Sequence, residues 1–198
     1  MIAGYILTGG KNTRMNGEKK LFLTYDEMPF YAHIFQAFQI LPKTYLSVEA
    51  EEPYKALKIP MVQDIYPAIG PLGGIYSGLL RCPEDALFVT ACDMPLIDQA
   101  TVKLVCRYYW QHPGKVTVVK AGGRIHPLFG IYPKSVLLLI GRMVAEKNYK
   151  VMNLFTETDV SVVELEQEKT VKNINTPREY EQLKHIVRQK HGTETESF

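Results

Sequence analysis

Gly9 and Gly10 are followed within ten positions by Lys11, Arg14, Lys19 and Lys20. Glycine lets a backbone approach a ligand closely, and exposed N–H groups there can cradle phosphates whose charge nearby cations offset. A solvated basic loop has the same composition. No G-x-x-x-x-G-K-[ST] can be drawn, because Gly17 is followed by Glu18, and G-x-G-x-x-G is absent as well. That removes a Walker-type loop and a dinucleotide fingerprint. A second cluster runs from Gln63 to Gly78 and holds Asp64 and Gly70-Pro71-Leu72-Gly73-Gly74. It is either a shaped turn ahead of a helix whose N-terminal N–H groups could meet a base or phosphate, or a tight connection that needs small residues.

Asp93 stands directly after an apolar run, where an unpartnered buried carboxylate would be costly. One carboxylate plus substrate phosphates is a common way to hold Mg²⁺, and a simple loop cap is the other reading. Near the end, Asn173 and Asn175 alternate and are expected on opposite sides of the chain, bonding a ligand or ordering the turn. His126, ahead of Pro127, is read as a packed or exposed side chain rather than a catalyst. Nucleophilic catalysis finds little support: there is no G-x-S-x-G, and Cys92 reads as a buried strand thiol.

The elements that must position these groups alternate. Ile2–Leu7 reads as a buried strand ending at Thr8-Gly9-Gly10. Phe30–Leu41 has helical apolar spacing between Pro29 and Pro42. Strands are expected at 45–48, 59–62, 86–91, 115–119, 128–132 and 160–165. Helices are expected at 53–57, 75–80, 98–110, with Asp98 as cap, and 134–143. A closing helix is expected at 177–188, with Thr176 as N-cap, Pro177 in its first turn and Glu179 completing a capping box. The alternation predicts an α/β, three-layer, Rossmann-like fold, with a mainly parallel sheet between helices. Ligands of such sheets bind beyond the carboxyl ends of the strands, where all the clusters above fall.

The chain has 198 residues, 23 Lys+Arg against 21 Asp+Glu, and 46% hydrophobic residues. A single domain over 1–189 is expected, with 190–198 a polar tail that frays. The near-zero net charge offers no bulk attraction to nucleic acid or membrane. No run approaches the roughly 18 apolar residues of a membrane helix, and the opening residues lack a signal peptide's basic region. Three cysteines without C-x-x-C read as reduced thiols of a cytoplasmic protein.

Taken together, the motifs carry a resemblance. Leu7-Thr-Gly-Gly10, Arg14-Met15 and Lys20-Leu21 resemble L-A-G-G-x-x-x-R-M-G-x-x-K-x-L. Gly70-Pro71-Leu72-Gly73-Gly74-Ile75 with Ser77-Gly78 resembles G-P-L-A-G-I-x-S-G, and Cys92-Asp93-Met94-Pro95 resembles C-D-M-P. Asn173-Ile-Asn175-Thr176-Pro177 resembles N-x-N-T-P. In this order they are similar to the MobA-like molybdenum cofactor guanylyltransferase family, whose fold is of the nucleotide-diphospho-sugar transferase type. The resemblance implies transfer of GMP from GTP to molybdopterin or molybdenum-molybdopterin, with release of pyrophosphate and with Mg²⁺ as cofactor. Other proteins of molybdenum cofactor biosynthesis are implied as partners. It implies nucleotide contacts from Leu7, Thr8, Gly9 and Gly10, phosphate contacts from Lys20 and Arg14, a nucleotide-binding Asp64, a metal ligand in Asp93 and a pterin-side Asn175. Thr8, Asn16 and Lys19 depart from the pattern. Glu49 stands where many relatives carry Asn, and its carboxylate could accept from guanine N1–H and N2–H₂. Cytidylyl transfer to molybdopterin, sugar-phosphate nucleotidyl transfer and a nucleotide-binding regulatory protein are the alternatives. The Lys11–Lys19 loop is expected to order only around a ligand.

Overall fold

A seven-stranded sheet divides two layers of helices in a computed structural model of the chain. The structure describes residues 1–9, 14–15 and 18–194, and the side chains of 14–15 and 186–194 fall outside that description. The sheet strands are β1 (Ile2–Leu7), β2 (Thr44–Val48), β3 (Met61–Gln63), β4 (Ala86–Ala91), β5 (Val116–Ala121), β6 (Arg124–Pro133) and β7 (Val160–Leu165). Their order across the sheet is β7-β5-β6-β4-β1-β2-β3. β1 pairs in parallel with β2 and β4, β2 with β3, and β5 with β7, while β6 runs antiparallel to β4 and β5. The mainly parallel α/β architecture is as expected.

β1 and β4 are buried along their whole length. Ile2 and Ile6 face one apolar layer, whereas Ala3, Tyr5 and Leu7 face the other, the period of two of a strand covered on both faces. α1 (Phe30–Phe38) and α3 (Gln99–Gln111) cover the first face. α2 (Pro71–Arg81) and α4 (Leu137–Ala145) cover the second. Asp98 caps α3 as predicted, its Oδ1 accepting from the Thr101 N–H at 2.7 Å.

Several elements differ from the reading of the sequence. α2 begins at Pro71, four residues before Ile75, because Gly73 and Gly74 are helical rather than part of a turn. A Cβ on Gly78 would stand 2.5 Å from Tyr5 Cζ, so these glycines serve close packing of the helix on the sheet. The third strand starts at Met61, since Pro60 has no N–H to give the ladder. β6 is longer than expected and bulged between His126 and Gly130. The helix expected at 134–143 is a 3₁₀ turn, Lys134–Val136, leading into α4. Short α5 (Val151–Leu154) and a hairpin of Thr24–Tyr25 with Met28–Pro29 went unpredicted. α6 (Pro177–Glu194) runs beyond Arg188. Thr176 and Glu179 form the expected capping box, the Glu179 N–H donating to Thr176 Oγ1 and the Thr176 N–H to Glu179 Oε2.

Candidate functional site

Four parallel neighbours, β4, β1, β2 and β3, end along one edge of the sheet. Asp93, Thr8-Gly9, Glu49 and Asp64 follow those ends in that spatial order. The chain leaving β7 returns to the same edge and delivers Asn173 and Asn175.

One half of the edge is a cavity of about 440 Å³ lined by Leu7, Gly9, Glu49, Asp64 and the start of α2. A Cβ on Gly9 would lie 3.7 Å from Glu49 Oε1 and 3.9 Å from Asp64 Oδ2, so both carboxylates face the bare backbone of Gly9. Ser47, buried on β2, organises this half. Its Oγ donates to Asp64 Oδ1 at 2.7 Å. Its carbonyl accepts from Thr8 Oγ1 at 2.6 Å and from the Thr8 N–H at 3.2 Å. Burial raises the Asp64 pKa above the usual carboxylate range, and the neighbouring Glu49 charge adds to this, against the hydrogen bond from Ser47 and the charge of Arg81. Tyr5 Oη donates to the Gly74 carbonyl at 3.0 Å, and Ser77 Oγ accepts from the Ile65 N–H at 2.9 Å. These bonds tie α2 to β1 and to the loop carrying Asp64.

The other half gathers around a buried cation. Lys20 lies in a 3₁₀ turn, Lys20–Phe22, and is only 2% exposed. Its Nζ donates to Asn175 Oδ1 at 2.6 Å and meets Asp93 Oδ2 at 3.3 Å. Asn173 Nδ2 donates to Asp93 Oδ1 at 2.7 Å. Both amides therefore converge on the Lys20–Asp93 pair, correcting the expectation of opposite sides. Residues i and i+2 of an extended segment share a side, and Ile174 between them points away into a small cluster with Leu23, Phe30 and Leu183. The Ile174 N–H also donates to the Asp93 carbonyl at 2.8 Å. Tyr180 Oη on the Thr24 carbonyl (2.6 Å) and Tyr25 Oη on the Pro95 carbonyl (3.0 Å) lash this half to α6 and to the hairpin.

Among the described residues no group of three or more His, Cys, Asp or Glu could hold a metal by itself. The single, partly buried Asp93 suits Mg²⁺ that takes its remaining ligands from substrate phosphates and water. Leu7, Thr8, Gly9, Glu49 and Asp64 thus meet on one side of the edge, and Lys20, Asp93 and Asn175 on the other. Gly10 and most of the Lys11–Lys19 loop lie outside the described residues. Arg14 is described only as backbone, pairing with Lys19 in a two-residue ladder. Cys92 is buried as expected but lies in the turn just beyond β4 rather than on the strand, and burial pushes its thiol up to about 12, in keeping with a structural role. His126 Nε2 is buried and has no hydrogen-bond partner among the described residues. Ser47 escaped the sequence reading. Its signal was a lone polar residue inside the apolar run Tyr45-Leu46-Ser47-Val48.

The MobA-like NTP transferase domain matches residues 4–162. The chain is 30% identical over 185 residues to a protein of Carboxydothermus hydrogenoformans named a probable molybdenum cofactor guanylyltransferase, with 90% of this chain and 92% of that one covered. It is 28% identical over 183 residues to the molybdenum cofactor guanylyltransferase of Vibrio cholerae, covering 90% and 89%. The crystal structure of molybdopterin-guanine dinucleotide biosynthesis protein A from Archaeoglobus fulgidus shares the fold, with a TM-score of 0.80 at 17% identity over 94% of this chain and 99% of that one.

Proposed function

This chain belongs to the MobA-like NTP transferase family, and from that membership we propose that it transfers GMP from GTP to the phosphate of molybdopterin, releasing pyrophosphate. The observation that carries the reading is the division of one sheet edge into an acid-lined cavity at Gly9 and a buried Lys20 held by Asp93 and Asn175.

Charge sets the orientation of the nucleotide. The triphosphate is repelled by Glu49 and Asp64 and attracted to Lys20. The base then enters the carboxylate side. Guanine presents N1–H and N2–H₂ side by side, a donor edge that carboxylates accept, whereas cytosine and adenine present one exocyclic amino group. This favours guanylyl over cytidylyl transfer.

In the reaction, a terminal phosphate oxygen of the acceptor attacks the α-phosphorus of GTP. The bond from that phosphorus to the α–β bridging oxygen breaks, and its electron pair leaves with pyrophosphate. The attacking phosphate is already anionic, so no strong base is required. The protein's contribution is alignment and charge neutralisation. Lys20 offsets charge developing on the departing pyrophosphate, and the Gly9 backbone admits the nucleotide closely. Asp93 is the residue that would hold Mg²⁺ with the substrate phosphates, and the ion would supply further charge neutralisation there.

Calorimetric titration with GTP, CTP and ATP, each with Mg²⁺, tests the base reading, and pyrophosphate release on adding molybdopterin tests the transfer. GTP preference and molybdopterin-dependent pyrophosphate are expected. Preference for CTP would move the activity to cytidylyl transfer, and the absence of any pyrophosphate would overturn the reading.

A further inference from the structure

Lys20 poses a problem that its neighbours must solve. An ammonium 2% exposed is costly unless its charge is compensated and its N–H groups are bonded. Its shorter contact is with Asn175 Oδ1, at 2.6 Å, and its contact with Asp93 Oδ2 is longer, at 3.3 Å. Asp93 is also engaged by Asn173 on its other oxygen.

Asn175 is itself held firmly. Its N–H donates to Glu179 Oε2 at 2.8 Å, inside the capping box of α6. The preceding Ile174 is 1% exposed and packs with Leu23, which closes the 3₁₀ turn of Lys20 through its N–H on the Lys20 carbonyl at 3.1 Å. Anchor and anchored residue therefore share one small apolar cluster. The chemistry of the anchor matters too. An amide oxygen accepts a strong bond from an ammonium but brings no net charge, so it fixes Lys20 without cancelling its attraction for phosphate. A second carboxylate at that position would give the ammonium two negative partners.

We propose that Asn175 is a positioning residue for Lys20, acting on the nucleotide phosphates through that side chain. This rests on the nucleotidyl-transfer reading above. Binding to wild type, Asn175→Ala, Asn175→Asp, Lys20→Ala and the Lys20→Ala/Asn175→Ala double variant is measured by calorimetry with GTP and with guanosine, in the absence of acceptor. Asn175→Ala weakens GTP binding about tenfold, the scale of a hydrogen bond to a charged group, and leaves guanosine affinity within about twofold. In the Lys20→Ala background the same change costs less than about twofold, because its target is already gone. Asn175→Asp keeps an acceptor for Lys20 yet also weakens GTP binding, through the added negative charge, again sparing guanosine. Retained guanosine binding reports that each variant is folded at the base cavity. GTP affinity unchanged in Asn175→Ala overturns the proposal, as does an equal loss with and without Lys20. A variant that has lost guanosine binding as well refutes a role confined to Lys20. Wild type that binds no triphosphate would instead bring down the functional reading, and this proposal with it.

Discussion

Gly74→Ala asks whether the packing of α2 is what aims Asp64. An added Cβ would stand 2.6 Å from Ser47 Oγ and 2.7 Å from Leu7 Cδ2, with Asp64 Oδ1 at 3.6 Å. Moving the first two out to ordinary contact near ~3.5 Å requires a shift of roughly 0.8 Å. Ser47 and Leu7 are buried strand residues and have no solvent to swing into. Overpacking of this kind costs about 1–3 kcal/mol. Alanine in a helix recovers about 0.5–1 kcal/mol relative to glycine. Taking the middle of each range, the net loss is about 1 kcal/mol, which lowers the melting temperature of a domain this size by about 2–4 °C. The displaced Ser47 hydroxyl also releases Asp64, so GTP affinity falls about tenfold, the scale of one charge-assisted hydrogen bond. Thermal melting by circular dichroism and calorimetric titration read the two effects separately. Gly141→Ala is the comparison: its added Cβ meets only Tyr76, at 3.3 Å, so melting and GTP binding hold near the wild-type values. A Gly74→Ala protein that melts lower yet binds GTP normally would refute the link from helix packing to Asp64. One that melts and binds like wild type would refute the packing argument itself.

Other outcomes follow from the same geometry. Glu49→Gln, which trades a pure acceptor for a group that also donates, should weaken GTP binding about tenfold and ATP or CTP far less; equal losses for all three would remove Glu49 from base selection. Asp64 has a raised pKa, chiefly from burial, so the folded state keeps its proton to higher pH than the unfolded chain. The stability tied to this group is therefore full below the ordinary carboxylate pKa and is lost as pH rises through the folded value. Asp64→Asn should melt above wild type at pH 7 and level with it at pH 3, while losing GTP affinity; a lower melting point at pH 7 would contradict this. Asp93→Asn should reduce kcat by about a hundredfold, and wild-type turnover in that variant would remove Asp93 from the site. Burial pushes the Cys92 thiol up to about 12 and those of Cys82 and Cys106 up to about 11, so iodoacetamide at pH 8 should leave the native protein largely unmodified but label all three on unfolding. Rapid labelling of native Cys92 would show that the turn after β4 opens.

The sequence made the strand ends legible because their signal is local. An apolar run that stops at Thr8-Gly9 or at Cys92-Asp93 marks both the strand and the position of the polar group beyond it. What it hid were properties held by partners distant in the chain. The glycines of Gly70-Pro71-Leu72-Gly73-Gly74 look alike as a turn, yet Gly70 has φ +84° and caps the helix, while Gly73 and Gly74 are helical and small because Tyr66, Leu7 and Ser47 crowd them. The antiparallel sense of β6 could not be read from Leu128–Tyr132, because an apolar run has no direction. Asn175 showed the right kind of residue, but its partner Lys20 lies 155 positions away, and only the fold brings the two together.

The strand order gives the proposed site the span of a whole nucleotide. Adjacent strands lie about 4.8 Å apart, so the ends of β4 and β2, with β1 between them, stand on the order of 10 Å apart. That is the span from a nucleobase to its phosphates. Glu49 and Asp64 follow the outer pair, β2 and β3, and Asp93 follows β4, with Lys20 folded against it. Gly9, after β1, faces the carboxylates of Glu49 and Asp64 and leaves bare backbone on that side of the edge. Permuting these strands would leave the same residues in the sequence but no longer hold the acidic pair apart from Lys20 and Asp93. The chemistry proposed here is thus a property of the order β4-β1-β2-β3 as much as of the side chains it carries.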